Sequence, residues 1–256
     1  MNFDLSPDAY NQMPPELAVV IPVYNEQDSI QKVIQEWIPE LEKWCQNFII
    51  LAFDDGSQDN SLTILHQLQT QFGQRLVVIT RPNRGHGQTC LEGYHHAAKL
   101  GARFVFQIDS DWQCDPCYFS AFWLVRNQAL VISGIRTRRD DGWKRLIVTK
   151  TLRLMLLLAF GVDCPDANVP YRLMKTEAIQ KVILQIPDDF HLANVALALL
   201  LRRDKSITHK FIPIGFRERY GGEPSVKLPL FGRKAIELYR DIQTMLANQA
   251  KKSNES

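Results

Sequence analysis

Three apolar runs in this 256-residue chain end in polar clusters: Pro22-Val23-Tyr24-Asn25-Glu26, Asp54-Asp55-Gly56-Ser57 and Asp109-Ser110-Asp111. Asp109 and Asp111 are separated by Ser110, and Gln113 follows two positions on. Two carboxylates and an amide oxygen are hard donors. They suit Mg²⁺ or Mn²⁺, which takes a few protein oxygens and completes its shell with water and phosphate. An Asp-x-Asp pair alone is common by chance, and any single acid here has a plainer reading as a helix cap or solvated turn. Three clusters converging on one sheet edge resist that explanation, so the elements that carry them decide the matter.

Leu17 to Val23 is unbroken apolar sequence, the mark of a strand buried on both faces. Asp28 is placed to cap a following helix whose apolar positions Ile30, Val33, Ile34, Trp37 and Ile38 recur at helical spacing. The pattern repeats. Phe48 to Phe53 is a second strand, Asp59-Asn60-Ser61 opens a helix, and Leu76 to Thr80 is a third strand. The loop Arg84-Gly85-His86-Gly87 leads into a helix reaching Leu100, and Phe104 to Ile108 is a fourth strand. A fifth strand is expected at Leu130 to Ser133. Strand and helix in alternation predict an α/β fold with a mostly parallel sheet flanked by helices, and in such sheets ligands bind beyond the carboxyl ends of the strands. The second half is less regular: helices over Lys144–Phe160, Thr176–Leu184 and Leu192–Arg203, a strand over Ile207–Gly215, and a last helix over Arg233–Ala250. The expected organisation is a polar leader over 1–16, one domain over 17–250 and a disordered tail over 251–256. Trp37, Trp44, Phe104 and Phe106 read as core.

Composition narrows the function. Thirty Lys and Arg against 28 Asp and Glu give a formal charge of +2, which argues against a nucleic-acid partner. Hydrophobic residues at 45% and charged ones at 23% exclude a disordered or collagen-like chain. Five cysteines, an odd number, argue against a disulfide scaffold and for a reducing compartment. Cys114-Asp115-Pro116-Cys117 has the spacing of half a zinc site but no second pair completes it. No run approaches the ~20 apolar residues of a bilayer span, and Met1–Glu16 lacks the cationic segment of a signal peptide. The expected location is the cytoplasm, with peripheral attachment at the inner face of the membrane as a variant of that reading.

Taken together, Pro22 to Glu26, Asp54 to Ser57, Asn83 with Gly85-His86-Gly87, and Asp109 to Gln113 resemble a family 2 glycosyltransferase of the GT-A fold. Within it they are most similar to the dolichyl-phosphate mannosyltransferase and polyprenyl-phosphate glycosyltransferase subgroup. The resemblance spans Leu17 to Lys227 and rests on the order and spacing of several motifs. It implies that Pro22, Tyr24, Glu26, Asp54 and Asp55 line a nucleotide-sugar pocket with Gly85, His86 and Asp109. Asp109, Asp111 and Gln113 would hold the metal, with Asp111 also counted among the catalytic residues. A divalent ion neutralises charge developing on a departing diphosphate, so the implied chemistry is a metal-dependent, inverting transfer of a hexose from UDP or GDP. Arg136, after Ser133-Gly134-Ile135, and Arg145, after Asp140-Asp141-Gly142-Trp143, match the subgroup's phosphate-contacting arginines. Arg219, Ser225 and Lys227 match a glycine-bearing loop over the diphosphate.

Two departures fall where the acceptor should lie. The segment Asp166-Ala167-Asn168-Val169-Pro170-Tyr171-Arg172 stands where the subgroup has Ser-Gly-Phe-Arg, and Asn194 stands where an acidic residue is usual. A hydroxyl acceptor needs a base, for which Asp166, Asp188, Asp189 and His191 are candidates. A polyprenyl phosphate acceptor is already anionic and needs none. Leu152 to Phe160, behind a basic stretch, suits either a helix on an anionic membrane surface or one buried against the sheet. The rival from another class is a non-catalytic nucleotide-sugar-binding regulatory module. A sugar-phosphate nucleotidyltransferase, a third reading, would show a Gly-rich loop after the first strand, and this chain does not.

Overall fold

A computed structural model describes residues 13–139, 143–187, 190, 192–220 and 231–254. Seven strands form one sheet: β1 (Leu17–Val23), β2 (Phe48–Asp54), β3 (Leu76–Thr80), β4 (Phe104–Gln107), β5 (Val131–Arg139), β6 (Arg172–Lys175) and β7 (His209–Phe216). Their order is β3-β2-β1-β4-β6-β5-β7. Only β6 pairs antiparallel, with β4 on one side and β5 on the other, so the remaining strands share a direction. The chain grows from β1 outward to β3, then crosses to β4 on the other side of β1. That reversal opens a crevice at the carboxyl ends of β1 and β4, the place where α/β sheets bind ligands.

Eight α-helices accompany the sheet: α1 (Ile30–Trp44), α2 (Ser61–Phe72), α3 (His86–Lys99), α4 (Phe119–Leu124), α5 (Trp143–Phe160), α6 (Thr176–Val182), α7 (Ala193–Arg203) and α8 (Phe231–Asn254). Every residue of β1 is buried. Leu17, Val19, Ile21 and Val23 face the core under α1, α2 and α4, while Ala18 and Val20 face the core under α3, α6 and α7. This two-sided burial is why the strand reads as continuous apolar sequence. On the first face Trp37 stacks into an aromatic cluster, 5.5 Å from Phe106 and 5.9 Å from Tyr171, and the Tyr171 hydroxyl donates to the Asp115 carbonyl at 3.1 Å. Truncating Trp37 to Ala costs about 3–5 kcal/mol.

On the second face Gly93 lets α3 lie against the sheet: a β-carbon there would meet the Val20 side chain at 2.3 Å.

The differences from the sequence expectations have local causes. Ser29, not Asp28, flanks α1, and its hydroxyl serves Glu26 and Ser110 rather than a helix cap. Trp44 is at the surface, with its indole N–H on Glu40. β5 extends to Arg139 because it pairs along its length with β7, through a bulge between Arg136 and Arg138. The short strand β6 and helix α4 were not expected. Helix α8 continues to Asn254, past the expected start of a disordered tail. Helix α5 is neither wholly buried nor wholly exposed. Leu156 is in the core, while Leu154, Leu157 and Leu158 are 54%, 43% and 77% exposed. Among the described residues no helix is long and apolar enough to cross a membrane.

Candidate functional site

Tyr24, Asp54 and Asp109 are brought to one rim by the sheet register. Val23 of β1 stands beside Asp54 of β2, and Val20 stands beside Gln107 of β4. Hydroxyls fix the loops beyond. The Ser110 hydroxyl donates to the Pro22 carbonyl at 2.8 Å, and the Ser29 hydroxyl donates to the Ser110 carbonyl at 2.8 Å. The first two motifs interlock through their backbones. Asn25, in a left-handed conformation at φ 54°, donates its N–H to Ser57 Oγ and accepts from Gln58 N through its side chain. Glu26 N donates to Ser61 Oγ at 2.7 Å. Pro22 near the end of β1 and Tyr24 just beyond it are thus held in place, Tyr24 with its side chain exposed.

The two neighbouring acids of β2 do different work. Asp54 accepts from Thr80 Oγ1 at 2.8 Å and from Ser57 N. Asp55 is engaged on three sides: it pairs with the buried Arg81 guanidinium and accepts from Arg84 N at 2.8 Å and Gly85 N at 2.9 Å. Its carboxylate is 3% exposed and its function in this arrangement is to shape the 81–85 loop, which positions Gly85 and His86 at the start of α3.

Asp109 and Asp111 form the acidic centre. Burial, and then the charge of Asp111, push the Asp109 carboxyl well above the usual carboxylate range, while Arg136 and Arg219 pull it down. Both arginines therefore act on Asp109. Asp109 Oδ1 is shielded and lacks a hydrogen-bond partner; the half-exposed His86 imidazole stands 3.6 Å away. An orphaned carboxylate oxygen beside a second carboxylate is the donor set that a hard divalent cation satisfies. Among the described residues no group of three or more His, Cys, Asp or Glu side chains could hold an ion. Two carboxylates with water and phosphate completing the shell would suit Mg²⁺ or Mn²⁺. Gln113, expected as a third ligand, is tied in place through its nitrogens: its side-chain N–H donates to the Arg217 carbonyl at 3.1 Å, and its backbone N–H donates to Asp111 Oδ1 at 3.2 Å.

The cations also have protein partners. Arg219 Nη2 donates to Glu26 Oε1 at 2.5 Å; burial raises the Glu26 pKa, while Arg219 opposes the shift. Arg136 grips Asp166 at two points, Nε to Oδ2 at 2.7 Å and Nη2 to Oδ1 at 2.6 Å. Asp166 is buried, so this pair answers what the unusual 166–172 segment does. Asn194 lies under the sheet with its side-chain oxygen 3.3 Å from the Tyr94 hydroxyl, which donates to Gln107 Oε1 at 2.6 Å. It belongs to a buried amide–phenol network. Arg145 lies in the first turn of α5, its side chain outside the described residues, and Ser225, Lys227, Asp188, Asp189 and His191 lie outside them altogether. All five cysteines are free thiols.

Sequence reasoning marked Arg172 only as the end of the 166–172 segment and found no role for Glu36 or Arg217. Arg172 is buried in β6 with Nη2 on the Ala167 carbonyl and Nη1 without a partner. Glu36 and Arg217 are joined at 2.6 Å across 181 positions. An arginine beside apolar residues was the only local signal for the first, and spacing held none for the other two.

A mostly parallel sheet with an acidic pair at its topological switch is a GT-A-type fold, and comparison with known proteins gives it a family. Residues 18–183 match the model of glycosyl transferase family 2, and the chain belongs to that family. It is 27% identical over 233 residues to an undecaprenyl-phosphate 4-deoxy-4-formamido-L-arabinose transferase of Edwardsiella ictaluri, covering 90% of this chain and 67% of that one. The corresponding protein of Serratia proteamaculans is 26% identical over 171 residues, 66% of this chain and 51% of its own. The chain thus spans two thirds of the first relative and about half of the second. Glucosyl-3-phosphoglycerate synthase of Mycobacterium tuberculosis, solved with Mn²⁺, UDP-glucose and phosphoglyceric acid, shares the fold at a TM-score of 0.63. It is 18% identical, over 90% of this chain and 80% of that one.

Proposed function

We propose that the chain transfers a hexose from a UDP- or GDP-linked donor to a polyprenyl phosphate by a single inverting displacement that depends on Mg²⁺ or Mn²⁺. The observation that carries this reading is the Asp109–Asp111 pair, with its orphaned oxygen, at the sheet crevice and within electrostatic reach of Arg136 and Arg219. In this assignment Pro22, Tyr24 and Asp54 line the nucleoside pocket. Asp55 and Gly85 shape its wall, and His86 reaches the donor from the start of α3. Asp109 and Asp111 would hold the cation, which supplies charge neutralisation for the departing diphosphate. Arg219 exchanges Glu26 for a donor phosphate, aided by Ser225 and Lys227. Arg136 and Arg145 bind acceptor or donor phosphate, for which the guanidinium fork is suited.

The acceptor follows from proton accounting. Among the described residues Asp166 is engaged with Arg136 and position 194 carries an amide, which favours an acceptor that needs no base, as an anionic phosphate does not. The relatives named for undecaprenyl phosphate support the same class. The acceptor is lipid-linked, and the exposed leucines of α5 with Lys150 and Arg153 give a surface for peripheral contact with an anionic leaflet.

The test is a thermal-shift screen of UDP- and GDP-hexoses with and without Mn²⁺, followed by transfer of labelled sugar to undecaprenyl phosphate. A donor at 100 times its dissociation constant stabilises the fold by about 2.7 kcal/mol. Mn²⁺-dependent stabilisation and labelled lipid are expected. Binding without transfer or hydrolysis would make the chain a binding module, and no binding by any nucleotide-sugar would overturn the reading.

A further inference from the structure

The residue between Asp111 and Gln113 is Trp112, and its backbone is left-handed at φ 67°. A bulky side chain rarely adopts that conformation, and it persists only where the surroundings over-determine it. Here they do. The indole N–H donates to Glu36 Oε1 at 3.0 Å from α1, the Arg217 guanidinium lies over the ring at 4.5 Å, and the Tyr220 ring meets it edge-on at 5.8 Å. Arg217 closes the assembly. Its Nη1 donates to the other Glu36 oxygen at 2.6 Å, and Nε and Nη2 reach the two Asp115 oxygens at 3.1 and 3.0 Å. The backbone follows the same path: Arg217 N donates to the Gln113 carbonyl at 3.1 Å, and Tyr220 N to the Asp111 carbonyl at 3.4 Å.

A right-handed backbone at Trp112 would turn the Asp111 and Gln113 peptides relative to each other and break the bond from Gln113 N to the Asp111 carboxylate. We infer that Glu36, Trp112 and Arg217 are positioning residues that hold Asp111 in its cation-binding geometry, so that cation affinity is coupled to docking of the 216–220 segment on α1. This rests on the metal reading above. It adds that three side chains outside the ligand set fix the affinity, as partners behind ligating carboxylates do elsewhere, where their loss weakens metal binding by about 10–100-fold.

Free Mn²⁺ measured by electron paramagnetic resonance, in the presence of UDP and separately of GDP, separates the possibilities. Trp112→Leu keeps a β-carbon that disfavours the left-handed backbone and removes the contacts that enforce it; about 10–100-fold weaker Mn²⁺ binding is expected. Trp112→Gly is the larger truncation, yet glycine adopts this conformation freely, so it should bind Mn²⁺ more tightly than Trp112→Leu. A merely structural role gives the opposite order. Arg217→Lys keeps the charge without the fork and should weaken binding less than Trp112→Leu while leaving the ligand-free far-UV circular dichroism unchanged. Wild-type affinity in all three variants, or glycine binding more weakly than leucine, overturns the inference and leaves the metal reading standing. A wild-type protein that takes up no Mn²⁺ overturns both.

Discussion

Arg136 and Asp166 are joined by a two-point ion pair, Nε to Oδ2 at 2.7 Å and Nη2 to Oδ1 at 2.6 Å, with both side chains largely removed from water. The arginine expected to meet phosphate is therefore pre-aimed by a carboxylate, and removing either side chain takes the two-point bond from the other. Arg136→Ala should lower both turnover and stability, the stability loss being about 3 kcal/mol. In the Arg136→Ala, Asp166→Ala double variant the stability should recover in part, with a coupling of about 1–3 kcal/mol. Urea midpoints of the four proteins check this; additive losses would show that the pair is incidental.

The repulsion between Asp109 and Asp111 predicts opposite signs for function and stability. Asp109→Asn removes a partly buried carboxyl whose pKa is raised by burial and by its neighbour. The metal-free protein should therefore gain stability at neutral pH. Sugar transfer should fall below detection in the same variant. Differential scanning calorimetry and a transfer assay on one preparation test both; a less stable variant would show that the pair is not strained.

Asp54 and Asp55, adjacent in sequence, should separate in mutagenesis. Asp55→Ala takes from the buried Arg81 one of its two carboxylate partners, Glu92 being the other, and releases the Arg84 and Gly85 amides, at about 1–3 kcal/mol. Asp54→Asn keeps an acceptor for Thr80 and Ser57 and should lose nucleotide affinity with stability changed by about 1 kcal/mol or less. Chemical denaturation beside nucleotide titration distinguishes a shaping acid from a binding one.

Cys117 is exposed, yet its thiol pKa is pushed up to about 11 by burial of the sulfur and by Asp115. Against its ordinary value of 9.0 the thiolate fraction at pH 8 falls about 100-fold, and alkylation should slow in proportion. Raising the pH through 10 should restore the rate. Iodoacetamide labelling followed by mass spectrometry checks the slope; a rate matching a free peptide thiol at pH 8 contradicts it.

Leu157 and Leu158 on α5 are exposed, so their replacement by Gln should leave the melting temperature nearly unchanged. If they enter a lipid surface, each contributes about 1.5–3 kcal/mol of apolar burial, and the double variant should sediment with anionic vesicles at least 10-fold more weakly. Equal sedimentation of wild type and variant removes α5 from the membrane contact.

The first half of the fold was legible because its strands are buried on both faces and its helices on one, patterns that sequence displays directly. β6 was not. Four residues, Arg172-Leu173-Met174-Lys175, begin and end with a charge, and their place in the sheet comes from pairing with β4 and β5. The acidic centre was legible from residue type and from its position after β4. What each neighbouring residue does was not, because Asp55 is defined by Arg81, 26 positions away, and Gln113 by Arg217, 104 positions away. Spacing reveals which residues reach the rim; the distant partner decides whether a side chain there binds a ligand or holds the wall.

Gly93 sets a clearance. With Val20 standing 2.3 Å from where a β-carbon would be, the whole of α3 rides as low on β1 as a bare backbone permits. An alanine there would act as a shim. It would lift the helix by part of a methyl diameter and swing its leading end, with His86, away from Asp109, detuning the mouth of the crevice from seven residues inside the helix.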